Sequence, residues 1–260
     1  LQAKSRRSKH ARHRCPVKNF PATSCSVSRE YLSMSKVTTE KVGHVLKIGL
    51  NRPDKMNAAD EELLHGLAVA HGDHFTAGLD LFDVGPKMQS GKLQLVPEGG
   101  IDPWGIQTKQ VSKPVVMAIR GTCFTLGVEL ALASDIVIAA SDSKFGQLEV
   151  ARGILPFGGG TIRLPKVAGH AKAMQYLLTG DTFSAQDALQ MGMINEVVAP
   201  GEEISRAMEF AQKIAAQAPL AVQATLASSR NSDTENEKKQ LFIRLNQLMS
   251  TKDVERGMQA

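Results

Sequence analysis

Residues 114–161 read PVVMAIRGTCFTLGVELALASDIVIAASDSKFGQLEVARGILPFGGGT, and this stretch decides the fold. A short run rich in β-branched residues, 114–119, predicts a buried strand that ends at Gly121. The apolar run 128–133 predicts a helix that opens at Gly127. A second apolar run, 136–140, predicts another buried strand. This alternation of strand, helix and strand indicates an α/β protein.

Two carboxylates stand out in this stretch. Glu129 lies in the first turn of an otherwise apolar helix, and Glu149 follows Phe145-Gly146-Gln147. A carboxylate in an apolar stretch destabilises a fold unless it is hydrogen-bonded or used. Each also has a structural interpretation, Glu129 as favourable charge at a helix N-terminus and Glu149 as an exposed loop residue. Residue type alone therefore leaves a catalytic and a structural role open for both.

The glycines around these glutamates belong to a longer pattern. Its members, in chain order, are Arg120-Gly121, Gly127-Val128-Glu129-Leu130, Phe145-Gly146-Gln147-Leu148-Glu149, Gly153, Pro156, Gly159-Gly160-Thr161 and Arg163-Leu164. The combination resembles the signature of the crotonase family, also called the enoyl-CoA hydratase/isomerase family, whose turn before the helix reads N-G-x-x-x-G-G-G-x-E-L. Two earlier segments also resemble motifs of that family, Asn51-Arg52-Pro53 through Asn57-Ala58 and Phe75 through Leu81.

The resemblance covers roughly Val42 to Ala260 and implies a fold. This fold is α/β, a crotonase-type spiral of ββα turns followed by C-terminal helices for oligomerisation. The expected assembly is a trimer or a dimer of trimers. We expect a core over 34–218 and a C-terminal helical region over 219–260 that is truncated relative to the family.

The resemblance also implies a chemistry, the addition of water to a 2-enoyl-CoA thioester. Backbone N–H groups of Leu79 and Leu126 would stabilise the charge on the thioester oxygen, and one such donor typically contributes about 10²–10³ in rate. Glu129 would hold and activate the water, while Glu149 would exchange its proton with Cα and the water. Because both positions carry glutamate, the pattern favours a hydratase over family members that keep one carboxylate.

Further binding residues follow from the same resemblance. The coenzyme A moiety would lie along Lys55, Ala77, Leu79 and Asp80, although Lys55 could equally be a solvated surface lysine. Phe157 stands where some family members carry an aspartate for isomerisation or dehalogenation, which argues against those reactions. It would also narrow the acyl pocket. No cofactor is expected, because coenzyme A is part of the substrate.

Other functions stay open at this point. An enoyl-CoA isomerase is the nearest alternative, and an RNA-binding or non-catalytic relative is the alternative from another class. The acyl-chain length and the pathway are likewise open. We expect no metal, because the spacing of the histidines is not that of metal ligands. They are His65, His71, His74 and His170.

Composition and cysteine usage fit a protein of a reducing compartment. Of the 260 residues, 42% are hydrophobic and 22% are charged, which is ordinary for a globular protein. No apolar run is long enough to span a bilayer. Cys15, Cys25 and Cys123 form no disulfide or metal framework. We expect a cytoplasmic protein without membrane partners, or a mitochondrial matrix protein if residues 1–33 are a transit peptide.

The positive charge is concentrated in residues 1–33. They hold eight basic residues and one acid, whereas the formal net charge of the whole chain is +5. The remainder is therefore nearly neutral, and nucleic-acid binding by the core is not expected. The composition of 1–33 predicts disorder. An extension ahead of Met34, a transit peptide and an RNA-binding arm all stay open.

Two regions depart from the expected pattern. Phe75 arrives early, so that roughly fifteen to twenty residues, about half a helix and a strand at ordinary lengths, are expected to be missing near 66–72. Loss of an interior strand should leave unpaired backbone groups on its neighbours. The stretch 82–104 is rich in glycine and proline, which predicts a long loop that is either a lid or substrate-facing loop, or an ordinary connector.

Local signals predict the remaining elements. Val42 to Leu50 is expected to form a strand, and a helix should start at Ala59. Ser184 to Asp187 resembles a capping box, 202–217 carries a helical apolar stripe, and Pro219 can begin a helix. A last stripe, of core or subunit contacts, comprises Leu241, Leu245, Leu248 and Met249.

Overall fold

The fold is described from a computed structural model. It describes residues 36–59, 71–94, 96–230, 240, 243–247 and 252. The expected extension over 1–33, the helix after Ala59 and most of the expected gap near 66–72 lie outside the described residues. So do three members of the last stripe, at 241, 248 and 249.

A β-hairpin opens the described part of the chain. β1 (Val37–Val42) and β2 (Val45–Leu50) pair antiparallel. Gly43 between them has a φ of 60°, which glycine adopts without strain in a two-residue turn. The single strand predicted over 42–50 is therefore wrong at its start. The sequence pattern missed β1 because its middle residues are polar and exposed.

Asn57 organises the segment after the hairpin. Its side-chain amide donates to the carbonyls of His71 at 2.9 Å and His74 at 2.8 Å, and its Oδ1 accepts from the N–H of Arg52 at 2.7 Å. The Thr76 hydroxyl donates to the backbone carbonyl of Asn57 at 2.8 Å. The motif from Arg52 to Asn57, which includes a 3-10 turn at Pro53–Lys55, thus holds segment 71–76 in place.

Helix α1 (Leu81–Gln89) occupies the start of the predicted loop 82–104, so that prediction is wrong there. Gly85-Pro86 has the composition of a helix breaker, yet the helix continues through both residues. The buried side chain of Val84 anchors this helix to the rest of the molecule. Tertiary packing has overridden a local signal, as it often does in short helices.

The central stretch folds as two ββ units around one helix, which confirms the prediction for 114–140. Its elements are β3 (Val116–Ile119), β4 (Thr122–Phe124), α2 (Leu126–Ala133), β5 (Ile136–Ala140) and β6 (Lys144–Gly146). β3 pairs in parallel with β5, and β4 pairs in parallel with β6. Each strand therefore lies beside its counterpart one turn later, as in a spiral of ββα repeats.

Helices dominate the rest of the described chain. After a 3-10 turn at Glu149–Arg152 come α3 (Gly160–Ala168), α4 (His170–Thr179), β7 (Thr182–Ser184), α5 (Ala185–Gln190), β8 (Glu196–Val198), α6 (Glu203–Ala215) and α7 (Pro219–Ser229). β7 joins β6 antiparallel, and β8 joins β5 in parallel. The capping box at Ser184, the helix within 202–217 and the start of α7 at Pro219 are confirmed.

Strand β3 shows why its residues are apolar throughout. Met117 and Ile119 belong to the main core, which gathers Phe75, Val128, Phe145 and Leu164. Ala118 points to the other face, where α6 contributes Ala207 and packs against the sheet. Both faces are covered, so this sheet needs apolar residues in unbroken runs. Within the described residues, no helix combines the length and apolarity needed to cross a membrane.

Candidate active site

Helix α2 carries Glu129 into the interior. The helix is apolar on all sides, and Glu129 itself is 0% exposed. Its Oε1 accepts a hydrogen bond from the N–H of Gly160 at 2.9 Å. Gly160 is the first residue of α3, so the carboxylate faces the N-terminus of a second helix. Glu129 therefore does more than place a favourable charge at the N-terminus of its own helix, because its carboxylate also binds the N-terminus of α3.

Three consecutive glycines form a cradle for this carboxylate. Backbone amides of Gly160, Gly158 and Gly159 favour its ionised form, but burial outweighs them and raises the pKa of Glu129 to about 6. A Cβ on Gly158 would lie 2.7 Å from Glu129 Oε2, and one on Gly160 would lie 3.1 Å from Oε1. Only glycine lets the backbone approach the carboxylate this closely.

Glu149 is also buried, so its interpretation as an exposed loop residue is wrong. It begins the 3-10 turn after β6 and is 4% exposed. Burial, and secondarily the charge of Glu129, raise the pKa of Glu149 to about 7. Its Oε2 has no hydrogen-bond partner among the described residues. The structure thus brings the two predicted catalytic carboxylates together.

Gln147 joins them, although the sequence pattern did not indicate it. It is 0% exposed, and both atoms of its side-chain amide are unpaired within the described part of the chain. A Cβ on Gly160 would lie 2.3 Å from Gln147 Nε2 and 3.1 Å from Glu129 Oε1, so amide and carboxylate are neighbours. Unpaired buried polar atoms indicate a place for a polar ligand or water. The sequence signal that could have identified Gln147 was its position beside a buried strand, two residues before Glu149.

The two predicted backbone donors lie on adjacent segments. Phe124 N–H donates to the Thr76 carbonyl at 2.9 Å, which joins the segment before Leu126 to the segment before Leu79. Thr125 and Gly78 then meet side by side. In the part of the chain that the structure describes, no acceptor takes the N–H of Leu79 or Leu126. Their role as donors to a thioester oxygen stays a prediction.

The predicted coenzyme A residues also cluster. Ala77 N–H donates to the Met56 carbonyl at 3.0 Å, which places the turn of Lys55 beside segment 77–80. Lys55 is exposed, whereas Asp80 forms an ion pair with Arg52 at 3.0 Å. The Asp80 charge is therefore balanced inside the protein. Contacts of these residues with coenzyme A remain predictions.

Trp104 is a second residue that the sequence pattern did not indicate. Its indole is 3% exposed and donates through Nε1 to the Leu126 carbonyl at 3.1 Å. Asp102 accepts from the Trp104 N–H at 2.9 Å, and Arg163 donates to the Trp104 carbonyl at 2.5 Å. Trp104, at the end of loop 82–104, therefore forms a wall of the candidate site, which is consistent with the interpretation of this loop as substrate-facing.

The wall lies close to the Glu129 carboxylate. A Cβ on Gly158 would lie 3.1 Å from Trp104 Cδ1 and 2.7 Å from Glu129 Oε2, so the indole edge and the carboxylate are both neighbours of Gly158. Phe157, the residue before Gly158, is half-buried and packs against the core. The site therefore combines two carboxylates with apolar walls. Among the described residues, no group of three or more His, Cys, Asp or Glu could hold a metal ion.

Comparisons with known proteins find a matching family model, similar sequences and similar structures. The family model "Enoyl-CoA hydratase/isomerase" matches residues 67–260. A short-chain-enoyl-CoA hydratase from Clostridium acetobutylicum is 34% identical over 209 residues, 74% of this chain and 79% of that protein. An (E)-benzylidenesuccinyl-CoA hydratase from Thauera aromatica is 35% identical over 207 residues, 73% and 80% of the two chains. The crystal structure of an enoyl-CoA hydratase from Mycobacterium tuberculosis has a TM-score of 0.74 at 33% identity, with 86% of this chain and 94% of that chain covered.

Proposed function

We propose that this chain, which belongs to the enoyl-CoA hydratase/isomerase family, adds water across the double bond of a 2-enoyl-CoA thioester. The observation that carries the proposal is the pair of buried glutamates, whose pKa values are raised to about 6 and about 7. At a pH between these values, Glu129 is mostly ionised and Glu149 mostly protonated. One site then holds a base and an acid at once, as hydration requires.

In the proposed reaction Glu129 is the base and Glu149 is the acid. Glu129 accepts a proton from water while the water oxygen bonds to Cβ of the thioester. Negative charge moves to the thioester oxygen, where the N–H groups of Leu79 and Leu126 stabilise it. Glu149 then donates its proton to Cα. Transfer of a proton from Glu129 to Glu149 restores both groups, and the net result is addition of one water.

The acyl group is a finer proposal. Relatives of similar identity act on different thioesters by name, a short-chain enoyl-CoA and (E)-benzylidenesuccinyl-CoA, so membership of the family does not decide it. We favour a short apolar acyl chain, because Trp104 and Phe157 are apolar and hydrogen bonds hold Trp104 on several sides. Enoyl thioesters of increasing chain length would test this, with the highest kcat/KM expected for the shortest.

Self-association is the expected state of the active protein. Helices α3, α4 and α7 expose large apolar side chains, and such surfaces usually contact another subunit. They include Ile162, Val167, Leu178 and Leu220. Light scattering should give a mass of three or six chains. A monomer of about 28 kDa would contradict this part of the proposal without affecting the chemistry.

A direct assay tests the function. The purified protein should remove the enone absorbance of crotonyl-CoA by adding water, and mass spectrometry should show the mass of one water in the product. A 3-enoyl-CoA offered in parallel tests for isomerisation. If the protein moved that double bond but never added water to a 2-enoyl thioester, an isomerase would replace our proposal. Glu203→Gln is the matched control, because Glu203 is a buried glutamate that accepts from the Gly201 N–H away from this site.

A further inference from the structure

Thr125 adopts a backbone conformation that threonine rarely takes. Its φ is 50° and its ψ is −113°, at the residue that precedes α2. Positive φ is unfavourable for a β-branched side chain, and such a conformation typically costs about 1–3 kcal/mol. Glycine, which the family turn N-G-x-x-x-G-G-G-x-E-L has at this position, adopts it without strain. This chain therefore carries a strained residue where glycine would be easier.

The strain has a geometric consequence for the neighbouring donor. The N–H of Leu126 belongs to the peptide that follows Thr125, and rotation about ψ of Thr125 sets its direction. Thr125 is fixed at both ends. Its N–H donates to the Gly146 carbonyl at 2.8 Å, and its carbonyl accepts from the Glu129 N–H at 3.1 Å. The conformation that aims the Leu126 N–H is thus held by β6 and α2.

The side chain of Thr125 reaches the other donor segment. Its Oγ1 lies 2.0 Å from the position of a Cβ on Gly78, with its own Cβ at 3.2 Å and Cγ2 at 3.3 Å from the same point. The hydroxyl oxygen therefore rests on the backbone of Gly78, directly before Leu79. Thr125 touches both segments that carry the predicted donors, one through the chain and one through its side chain.

The hydroxyl adds a second cost. Thr125 Oγ1 is buried and has no hydrogen-bond partner among the described residues. A buried unpaired hydroxyl typically costs about 1–3 kcal/mol, and glycine would remove this cost together with the strain. Strain of this kind persists where the surroundings enforce it, and it is concentrated at functional sites.

We propose that Thr125 is a positioning residue that fixes the direction of the Leu126 N–H and its distance from the Leu79 N–H. This rests on the proposed function, in which both groups bind the thioester oxygen. The oxygen of Thr125 acts as a spacer between the two segments. It is smaller than a methyl group, so Ser keeps the spacing, Val pushes Gly78 away, and Gly lets the segments relax.

Three variants test the proposal: Thr125→Gly, Thr125→Ser and Thr125→Val. Loss of one oxyanion donor typically costs about 10²-fold or more, so partial misplacement in the Gly variant should lower kcat by about 10-fold or more. KM should change little, because substrate binding depends mainly on contacts elsewhere. The Gly variant should also melt at a higher temperature. Ser should retain most of the activity, and Val should lose about as much as Gly.

A spectroscopic measurement isolates the positioning. A cinnamoyl-CoA thioester bound to the wild type should absorb at longer wavelength, because donors at its carbonyl oxygen polarise the conjugated system. The Gly and Val variants should lose most of this shift, and Ser should keep it. Gly169→Ala is the control for a change of backbone strain alone, since Gly169 also has a positive φ, of 76°, and a Cβ there would meet nothing within 4 Å. It should change the melting temperature and leave kcat and the shift unchanged.

Failure of this inference can be told apart from failure of the proposed function. A wild type that hydrates thioesters, with Thr125→Gly equal to it in kcat and in the absorbance shift, would overturn the role of Thr125 alone. A wild type that binds cinnamoyl-CoA with the shift but hydrates nothing would overturn the hydratase. In that case the shifts of the three variants would still decide the positioning role.

Discussion

Glu129 and Glu149 are both buried carboxylates, yet their surroundings differ. Oε1 of Glu129 accepts from the Gly160 N–H in the glycine cradle of 158–160, whereas Glu149 lies outside that cradle; Oε2 of each glutamate has no hydrogen-bond partner among the described residues. The pKa follows this difference and is raised to about 6 for Glu129 and about 7 for Glu149. Backbone amides thus favour the charged form of Glu129, which in the proposed reaction distinguishes the base from the acid although the two side chains are chemically identical.

The largest expected effect comes from removing either charge. Glu129→Gln and Glu149→Gln should each lower kcat by about 10² or more, because acid–base groups typically contribute about 10²–10⁴. Thioester binding should change little. The double variant should lose far less than the product of the two, since both residues serve one water. Steady-state hydration rates and a binding titration would measure this.

Full hydratase activity in Glu129→Gln would rule out the two-carboxylate mechanism. A mild effect at one glutamate with a severe effect at the other would indicate a single proton shuttle, as an isomerase uses. Glu203→Gln, at the buried glutamate outside the site, should match the wild type.

Filling the cradle is the next largest change. Gly160→Ala adds a methyl group 2.3 Å from Gln147 Nε2 and 3.1 Å from Glu129 Oε1, so the amide and the carboxylate must move. Displacing a catalytic group by about 1 Å can cost about 10²-fold, and we expect a loss of about 10-fold or more in kcat. Hydration kinetics at saturating substrate would show it.

Gly169→Ala is the control for this change. Gly169 ends the same helix, α3, and has a φ of 76°, but a Cβ there would meet nothing within 4 Å. That variant should lose some stability and keep its kcat. Equal losses of kcat in both variants would mean that α3, and not the cradle, is what the reaction needs.

The pH dependence of the rate should report the pair. The profile of kcat/KM should be bell-shaped with limbs near pH 6 and pH 7, because Glu129 must be ionised and Glu149 protonated.

Trp104→Phe should move the acid limb to lower pH, since water gains access to Glu129 and its charged form becomes easier to reach. An unchanged limb would show that Trp104 does not shield Glu129. Because Trp104 is the only tryptophan, its fluorescence in the wild type also reports thioester binding.

What the sequence could predict differs between these parts of the molecule. The stretch 114–140 was predictable because buried parallel strands require unbroken apolar runs, and the two glutamates stood out against that background. Strand β1 was not predictable, because its middle residues are polar and show no alternation of apolar and polar residues. α1 was not either, because tertiary contacts of Val84 prevail over Gly85-Pro86.

The walls of the site were hidden for a different reason. Trp104 reaches Leu126 from 22 positions away, and Gln147 and Glu129 are both neighbours of Gly160. Such contacts depend on the spiral that stacks one turn on the next, and no local pattern encodes them. The roles predicted for Lys55, Ala77, Leu79, Asp80 and Phe157 stay predictions, although the structure places the first four on adjoining segments.

The smallest expected effect is on stability, and it separates the two carboxylates by pH. In both, the pKa in the folded state is above the ordinary glutamate value of 4.5. A raised pKa means that the folded state holds more protons than the unfolded state, so stability is full below about pH 4.5 and falls as pH rises toward about 7. Above that range the folded protein carries both charges against the cost of burial.

Replacing a glutamate by glutamine removes that cost, so both variants should be more stable than the wild type at pH 8 and equal to it near pH 4.5. The gain should be larger for Glu149→Gln than for Glu129→Gln, because burial and the charge of Glu129 raise the pKa of Glu149 further. Thermal unfolding at the two pH values would measure the order, with a difference of a few degrees between the variants. An equal gain in both would show that the cradle at 158–160 does not distinguish Glu129 from Glu149, and the assignment of base and acid would then lose its physical basis.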